Sequence, residues 1–496
     1  MMKKILCIML ATLMVSGVFV SCSTVNEPEQ ETNDQTQVSS TVQEDTREPL
    51  DIPNIRYDGV ELCFLTRDYA EWSTQEIFAG SLTSESDNIS NAVYERNDVI
   101  LQKYGVTILE IKEDEQLSHV ANEVSAPTGD FQGIVSSTRE AVSFSTNDYL
   151  WDLNSDSVEY MDFTKPWWDQ NMAEGMSIDG RLYFATGDLL TSDNDATFIL
   201  MFNKQIATEC KIPDLYELVE NGKWTLDKFY EFEQVAKQDV DGNGKLEFDT
   251  DICGLAYTSD VPYSMLFGGG VTMCTKDADD YPIYKLDIER AQDIADKGKL
   301  IFSKDYTVDL NAAVGVSGLT MYEVGQKTFG EGHALFMGEV MQCVTRMRGS
   351  DVDFGILPYP KLSESQGSYY SMMHFTASSV SIPKSVNEDD IVMVNAIIEA
   401  MAYYAVDTLT EQYYEINLKT KGAKDEQSGP MIDMILSNRV YDLSYYYQWG
   451  NNAFGTLASC LLPSSTKSVS SQSKRFQSVV EKNIASLMDS MATNDN

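Results

Sequence analysis

The sequence predicts an α/β protein with two lobes. Its 496 residues correspond to roughly two or three domains of ordinary size. Hydrophobic residues make up 43% of the chain and aromatic residues 10%, which is typical of a globular protein. Segments with the pattern of strands alternate with segments with the pattern of helices in both halves of the chain. This alternation favours parallel sheets with right-handed crossover connections.

The N-terminal residues 1–21 have the pattern of an export signal. Lys3 and Lys4 precede an apolar stretch, 5–20, which is short for a membrane span. Residues 19–22 (FVSC) resemble a bacterial lipobox, in which the cysteine carries the lipid after cleavage. We therefore expect lipidation at Cys22. An ordinary signal peptide cleaved nearby is the alternative.

Residues 22–54 have the composition of a flexible tether. The segment between Ser23 and Pro49 is rich in acidic and small polar residues and contains no aromatic residue. Such a segment cannot bury enough apolar surface to offset the entropy of ordering it. We expect it to hold the folded body away from the outer face of the bacterial cell membrane.

The first half of the body has a strand, helix, strand pattern. Val60 to Thr66 predicts a strand, and Ser90 to Lys103 predicts a helix that Gly105 ends. Strands at 106–111 and 133–136 follow. The spacing is that of parallel crossover units.

The pattern recurs in the second half of the body. Thr225 is the predicted N-cap of a helix whose buried face includes Leu226 and Phe229. Strands are predicted at 254–257 and 334–337, and residues 338–339 are expected to open the next helix. A single-lobe α/β enzyme would use the same periodicities and remains the alternative.

The charge balance excludes nucleic acid as a partner. The chain has 36 Lys and Arg residues against 77 Asp and Glu residues, which gives a net charge of −41. No basic face large enough to neutralise many phosphates is expected. Catalysis also has little support. The only histidines are at 119, 333 and 374, and the sequence contains no Gly-x-Ser-x-Gly elbow, no phosphate-binding glycine loop and no His-Glu-x-x-His pair. We therefore expect a protein that is not an enzyme.

Several motifs, in their order along the chain, resemble those of the extracellular solute-binding proteins, family 1, which are carbohydrate-type receptors of ABC importers. The resemblance covers most of residues 55–490. The motifs are 149–153 (YLWDL), 166–168 (PWW), 179–183 (DGRLY), 224–225 (WT), 329–338 (FGEGHALFMG), 352–361 (VDFGILPYPK), 366 (Q), 369–370 (YY) and 380–384 (VSIPK).

The resemblance implies a two-lobed, periplasmic-binding-protein-like type II fold with discontinuous lobes and a hinge. Lobe 1 would comprise 55–186 and 378–435, and lobe 2 would comprise 187–377 and 436–490. The protein would bind a solute, a sugar or oligosaccharide, between the lobes and deliver it to ABC permease subunits as a monomer. A secreted glycan-degrading or glycan-adhesive surface lipoprotein is the alternative function.

Sugar binding needs stacking rings and polar partners for hydroxyl groups, and the sequence offers both where strands end. Similarity to the maltose-binding branch favours six of the candidates, which are Arg67, Asp68, Asp188, Asp260, Tyr263 and Trp449. Three more candidates follow from their position after predicted strands. They are Trp72, Glu339 and His374.

One acidic loop predicts a structural calcium site. Asp239, Asp241 and Asn243, followed by Gly244, match the first half of an EF-hand loop. Glu247 and Asp251 are further candidate ligands, because Thr250 stands where the bidentate glutamate is expected. A plain acidic turn is the alternative, and no other cofactor is expected.

Overall fold

The computed structural model describes residues 48–68, 76–79, 87–420 and 426–494. The predicted signal segment, Cys22, most of the tether and Trp72 lie outside these residues. All six cysteines within them are free thiols.

The β-strands of the described residues are numbered in chain order. They are β1 Val60–Arg67, β2 Val106–Glu113, β3 Gly133–Ser137, β4 Phe198–Asn203, β5 Cys253–Tyr257, β6 Cys274–Lys276, β7 Pro282–Tyr284, β8 Thr307–Asp309, β9 Ala334–Val340, β10 Phe354–Leu357, β11 Ser371–Met372, β12 Ser378–Ser381 and β13 Arg439–Val440.

The α-helices are numbered in the same way. They are α1 Asn88–Tyr104, α2 Gln116–Ser125, α3 Thr138–Thr146, α4 Gln170–Met176, α5 Ser192–Asp195, α6 Lys204–Glu209, α7 Leu215–Glu220, α8 Leu226–Ala236, α9 Val261–Gly268, α10 Ile288–Ile301, α11 Leu310–Ser317, α12 Met321–Gly325, α13 Gln342–Arg346, α14 Glu388–Ala405, α15 Ser428–Ser437, α16 Leu443–Tyr446, α17 Trp449–Ser459 and α18 Val469–Asn494. Gln326–Gly330 and Val406–Thr420 are π-helical, and Met347–Gly349 forms a 3₁₀ turn.

The first sheet has the strand order β12-β3-β1-β2. Strands β1, β2 and β3 are parallel, and β12 is antiparallel to β3. Gly105 ends α1 in the left-handed region, at φ +74°, as the sequence predicts. The first residue of β3, Gly133, has to be a glycine, because a Cβ atom there would lie 2.4 Å from the Phe64 ring. The predicted crossover units of the first half are confirmed.

The second sheet has the strand order β10-β4-β9-β5-β8. Strands β9, β5 and β8 are parallel, whereas β4 and β10 are antiparallel to their neighbours. Thr225 caps α8 as predicted, by accepting a hydrogen bond from the Lys228 amide, and Leu226 and Phe229 are buried. One prediction is wrong: Glu339 does not open a helix, because β9 continues to Val340 and the next helix begins at Gln342.

The chain passes three times between the two sheets. The first crossing, residues 186–197, runs from Ala185, which pairs with Val380 of β12, to Phe198 at the start of β4. The second joins β10 to β12 through β11, and the third contains β13, which pairs with β11 in parallel. The pairing of β11 with β13 therefore joins the second and third crossings in the region between the two sheets.

The predicted lobe boundaries stay a prediction. The strands of the first sheet lie within 55–186 and 378–435, and those of the second sheet lie within 187–377. Helix α15 packs against β10 of the second sheet, although most of its residues precede the predicted boundary at 435.

One described helical stretch is long and apolar enough to cross a membrane. It spans Glu388–Tyr413, and 61% of its most apolar window is buried inside the protein. The core helix of a folded protein can be as long and as apolar as a membrane span. Burial of this stretch inside the protein therefore explains its apolar composition.

Candidate functional site: a polar and aromatic cluster between the sheets

The loops that follow the parallel strands of both sheets meet at one place. Strands β1 and β3 end at Arg67 and Ser137, and strands β5 and β9 end at Tyr257 and Val340. Ligands of open α/β sheets bind at these carboxyl ends. The second crossing reaches β12 along the same edge of the first sheet, since β12 is antiparallel to β3.

Seven side chains from this region form what we call the cleft cluster. The Phe375 ring contacts His374 at 4.0 Å and Tyr445 at 5.9 Å between ring centroids. Tyr445 contacts Tyr263 at 5.9 Å. The cluster brings together side chains from both sheets and from the second crossing. Its members are Arg139, Asp260, Tyr263, Glu339, His374, Phe375 and Tyr445.

Arg139 supplies the positive charge of the cluster. Ser137 caps α3 in a capping box with Glu140, which fixes Arg139 in the first turn of the helix. Its guanidinium carbon lies 3.2 Å from the centre of the Phe375 ring, and its Nε is buried without a hydrogen-bond partner among the described residues. Burial lowers the pKa of Arg139, but a guanidinium stays protonated at neutral pH. The group is therefore available to donate to an acceptor of a ligand.

Two carboxyl groups lie on the side of the second sheet. Burial raises the pKa of Asp260, and the Arg139 charge opposes that rise. Burial raises the pKa of Glu339 to about 7, although its Oε1 accepts a 2.9 Å hydrogen bond from the Val340 amide. Glu339 also lines a cavity of about 200 Å³ between β9, α12 and α13. Arg139 thus belongs to the first-sheet side, whereas Asp260, just before α9, and Glu339, in β9, belong to the second-sheet side.

The aromatic residues and His374 form the apolar part of the cluster. Tyr263 is half-buried and stacks on Phe454 with ring planes 10° apart. Burial, with the nearby Arg139 charge, lowers the pKa of His374 to about 4, so the imidazole is neutral at neutral pH. Its Nδ1 is 2.7 Å from the Thr376 hydroxyl oxygen. The cluster therefore combines flat apolar faces with one cation and two acids.

Comparison with known proteins identifies the fold. No protein-family model and no curated protein sequence matches this chain. Solved structures do match. A cyclic alpha-maltosyl-1,6-maltose binding protein from Arthrobacter globiformis is similar with a TM-score of 0.55 at 13% identity, over 86% of this chain and 99% of that chain. A family 1 extracellular solute-binding protein from Bifidobacterium longum subsp. infantis is similar with a TM-score of 0.51 at 12% identity, over 86% and 100%.

A sugar transporter from Rhizobium etli, in an open conformation, has a TM-score of 0.54 at 11% identity, over 85% of this chain and 99% of that chain. The chain has the two-lobed fold of the family 1 solute-binding proteins. The fold class that the sequence predicts is confirmed.

Four of the nine predicted ligand-binding residues belong to the cleft cluster. They are Asp260, Tyr263, Glu339 and His374. Asp68 is exposed directly after β1, and Trp72 lies outside the described residues. The ligand contacts predicted for all of them stay predictions.

The structure places the other three predicted residues elsewhere. Arg67 is buried and donates to the Thr376 carbonyl at 2.8 Å and to the Ser378 hydroxyl at 2.7 Å, so it ties β1 to the second crossing. Asp188 accepts a 2.9 Å hydrogen bond from the Thr410 hydroxyl, and burial raises its pKa to about 7. Trp449 is only 5% exposed and packs in the main hydrophobic core. The side chains of these three residues make hydrogen bonds or packing contacts within the protein.

Sequence reasoning missed Arg139, Phe375 and Tyr445. Arg139 follows the predicted strand 133–136 and could have been found as a strand-end residue. Phe375 directly follows His374, and Tyr445 lies in the tyrosine-rich run from which Trp449 was selected. Composition does not show which ring of such a run faces a ligand.

The predicted calcium residues come together. Carboxylate oxygens of Asp239, Asp241 and Asp251 all lie within 4.8 Å of one another. The Asn243 amide contacts Asp241 at 2.8 Å and Glu247 at 3.4 Å. Backbone amides of the loop occupy some of these oxygens, including Gly244 on Asp239. The all-oxygen donor set fits a hard cation such as calcium, and calcium binding stays a prediction.

Proposed function

We propose that this protein is an extracellular receptor that binds a sugar or oligosaccharide between its two lobes and delivers it to an ABC import permease. The observation that carries the proposal is the cleft cluster. It lies between the two sheets at the carboxyl ends of their parallel strands, and it holds two acids, several aromatic rings and the Arg139 guanidinium, whose Nε has no hydrogen-bond partner among the described residues. The proteins with this fold that are named above are a sugar-binding protein, a sugar transporter and a solute-binding protein, which supports the same class.

Sugar hydroxyls suit the polar part of the cluster. A hydroxyl can accept a hydrogen bond from Arg139 and donate one to Asp260 or Glu339. Leaving a buried hydroxyl unpaired costs about 1 to 3 kcal/mol, so such pairing selects for ligands with several hydroxyls. The half-buried ring of Tyr263 can offer an apolar face to a pyranose ring.

Binding between two walls couples ligand occupancy to lobe closure. Arg139 lies on the first-sheet side, whereas Asp260 and Glu339 lie on the second-sheet side. A ligand that bonds to both walls binds the closed form more tightly than the open form and therefore shifts the population towards closure. We propose that the permease recognises this closed form and that no chemical step takes place on the sugar.

The N-terminal sequence supports a location outside the cell. We propose that the segment 1–21 is removed on export, that Cys22 carries the lipid, and that residues 22–54 tether the body to the outer face of the membrane. We further propose that the receptor is a monomer.

Thermal-shift screening against a panel of mono- and oligosaccharides tests the proposed function. A ligand at 100 times its dissociation constant should add about 2.7 kcal/mol to the free energy of unfolding. Arg139→Gln should weaken binding of the identified sugar by about ten- to a hundredfold, because a hydrogen bond to a charged group contributes about 1.5 to 3 kcal/mol.

Arg290→Gln is the matched control, because Arg290 is also half-buried but donates to the Gly269 carbonyl outside the cluster. It should leave the affinity unchanged. Equal losses in both variants would contradict the assignment of Arg139, and a panel without any binding sugar would contradict the proposed function.

A further inference from the structure

A small cavity with a methionine-rich wall adjoins Glu339 of the cleft cluster. It has a volume of about 200 Å³ and lies between β9, α12 and α13. Its apolar wall consists of three methionines, one cysteine and two smaller residues, which are Met321, Met337, Met347, Cys343, Val340 and Gly325. The cavity therefore offers an apolar space that the side chains around it leave unfilled.

The cavity lies at the ligand-binding edge of the second sheet. Glu339 stands near the end of β9. The neighbouring Gly338 packs so closely on the start of α9 that a Cβ there would lie 2.7 Å from Val261, which directly follows Asp260. Helix α13, which forms one side of the cavity, packs against α5 of the first crossing. The cavity is thus next to the region where the cleft cluster lies between the sheets.

One hydrogen-bond acceptor and one donor also line the cavity. Oε1 of Glu339 accepts a hydrogen bond from the Val340 amide, and its other carboxyl oxygen has no hydrogen-bond partner among the described residues. Arg346 is exposed, and its guanidinium carbon lies 5.9 Å from the centre of the Tyr322 ring. Within the described part of the chain this guanidinium makes no hydrogen bond and no ion pair. Both groups are therefore available to a ligand.

The chemistry of the cavity matches an acetamido group. The N–H of that group donates a hydrogen bond, which Glu339 can accept, and its carbonyl oxygen accepts one, which Arg346 can donate. Its methyl group suits the methionine-rich wall, because thioether side chains adapt to small apolar groups. An amine would place a positive charge beside Arg346, and a carboxylate would place a negative charge beside Asp260. A neutral amide avoids both repulsions.

The protonation state of Glu339 does not change this match. Burial, with a smaller contribution from the Asp260 charge, raises the pKa of Glu339 to about 7. Near neutral pH both forms of the carboxyl group are therefore present. The ionised form accepts from the N–H of an amide, and the protonated form can donate to its carbonyl oxygen.

We propose that this cavity is the subsite for the acetamido group of a sugar bound at the cleft cluster, so that the ligand is an N-acetylated amino sugar or an oligosaccharide that contains one. This inference rests on the proposed function and names the class of sugar. Burial of one methyl group together with one additional hydrogen bond corresponds to about ten- to fiftyfold in affinity.

Matched pairs of sugars test the ligand class. In each of three pairs a hydroxyl group replaces the acetamido group: N-acetylglucosamine and glucose, N-acetylgalactosamine and galactose, and di-N-acetylchitobiose and cellobiose. Titration calorimetry should show about ten- to fiftyfold tighter binding of the acetamido sugar in at least one pair. Glucosamine should bind more weakly than N-acetylglucosamine, because its ammonium group lies beside Arg346 and leaves the apolar wall empty.

Filling the cavity should remove the preference. Gly325 is buried at the end of α12, and a Cβ there would lie 3.9 Å from both the Met337 sulfur and the Met347 methyl carbon. Gly325→Leu should bring the affinity for the acetamido sugar to within about threefold of that for the hydroxyl sugar, whose binding stays unchanged. Gly315→Leu is the matched control, because Gly315 is also helical but is exposed, with no described atom within 4 Å of its Cβ position. It should leave both affinities unchanged.

Gly325→Ala replaces the leucine variant if that variant does not fold. It narrows the same space by one methyl group and should lower the preference by about threefold. Equal binding within every pair, tighter binding of glucosamine than of N-acetylglucosamine, or a preference that survives filling of the cavity would overturn the subsite while leaving the proposed sugar receptor intact. A wild-type protein that binds no sugar would instead overturn the proposed function on which the subsite rests.

Discussion

Replacing Glu233 by methionine should stabilise the protein, because Glu233 places a carboxyl group in the buried interior. The side chain lies on α8 and is fully buried, and neither of its oxygens has a hydrogen-bond partner among the described residues. Burial raises its pKa well above the usual value of 4.5, so the folded protein holds it protonated. An unpaired buried polar group costs about 1 to 3 kcal/mol. Methionine has a similar length and no such group, so the gain should be of that size near pH 5.

The gain from Glu233→Met should increase with pH. In the unfolded chain Glu233 releases its proton above its ordinary pKa, whereas the folded state keeps the proton to a higher pH because burial raises the pKa. The folded state therefore binds more protons, and its stability falls as the pH rises. The slope is about 1.4 kcal/mol per pH unit while the folded carboxyl remains protonated. Methionine has no proton to release, so the difference between the two proteins should widen.

Urea unfolding between about pH 5 and pH 8, followed by circular dichroism, measures this difference. Glu231→Met is the control, because Glu231 lies on the same helix but is exposed and pairs with Lys228 at 2.7 Å. Its effect should stay within about 0.5 kcal/mol at every pH. A Glu233→Met protein that is less stable than the wild type, or whose gain does not change with pH, would show that the folded protein does not hold Glu233 as an unfavourable, protonated carboxyl.

Three further predictions concern the loop, the core and the anchor. Calcium should raise the melting temperature and Asp241→Asn should abolish that rise; a melting temperature indifferent to calcium would speak against the site. Trp449→Ala should lower the free energy of unfolding by about 3 to 5 kcal/mol in urea, because it empties a large buried site; unchanged stability with weaker sugar binding would place the ring at the ligand. Cys22→Ala should move the protein from the membrane fraction to the soluble fraction, and mass spectrometry showing an unmodified N-terminus elsewhere in the wild type would contradict the anchor.

Local signals in the sequence predicted the elements of the fold. Gly105 ends α1 and Thr225 begins α8 because a left-handed residue and a side-chain cap depend on only a few neighbouring residues. The alternation of strands and helices then predicted parallel crossover units in both halves of the chain. The end of β9 was placed wrongly, because Glu339 pairs with Ile199 of β4, a contact that only the folded sheet defines.

The candidate site was less accessible to sequence reasoning, because tertiary contacts decide which polar side chains remain free. Arg67 and Arg139 both follow strands of the first sheet. Arg67 donates hydrogen bonds to Thr376 and Ser378, whereas Arg139 stacks on Phe375 and its Nε has no partner among the described residues. No local pattern distinguishes these two outcomes. Trp449 illustrates the same difficulty. A ring in an aromatic run has the same local sequence whether it packs in the core or lies at a cleft.

Small-angle scattering of the protein with and without its sugar, followed by chromatography of the same sample, distinguishes binding with lobe closure from binding without closure and from hydrolysis. We expect a smaller radius of gyration at saturation, because a ligand held by Arg139 and Asp260 favours the closed form. The sugar should also be recovered intact after hours of incubation. An unchanged radius of gyration at saturation, or a hydrolysed sugar, would contradict the claim that this protein binds sugar by closing its lobes and performs no chemistry.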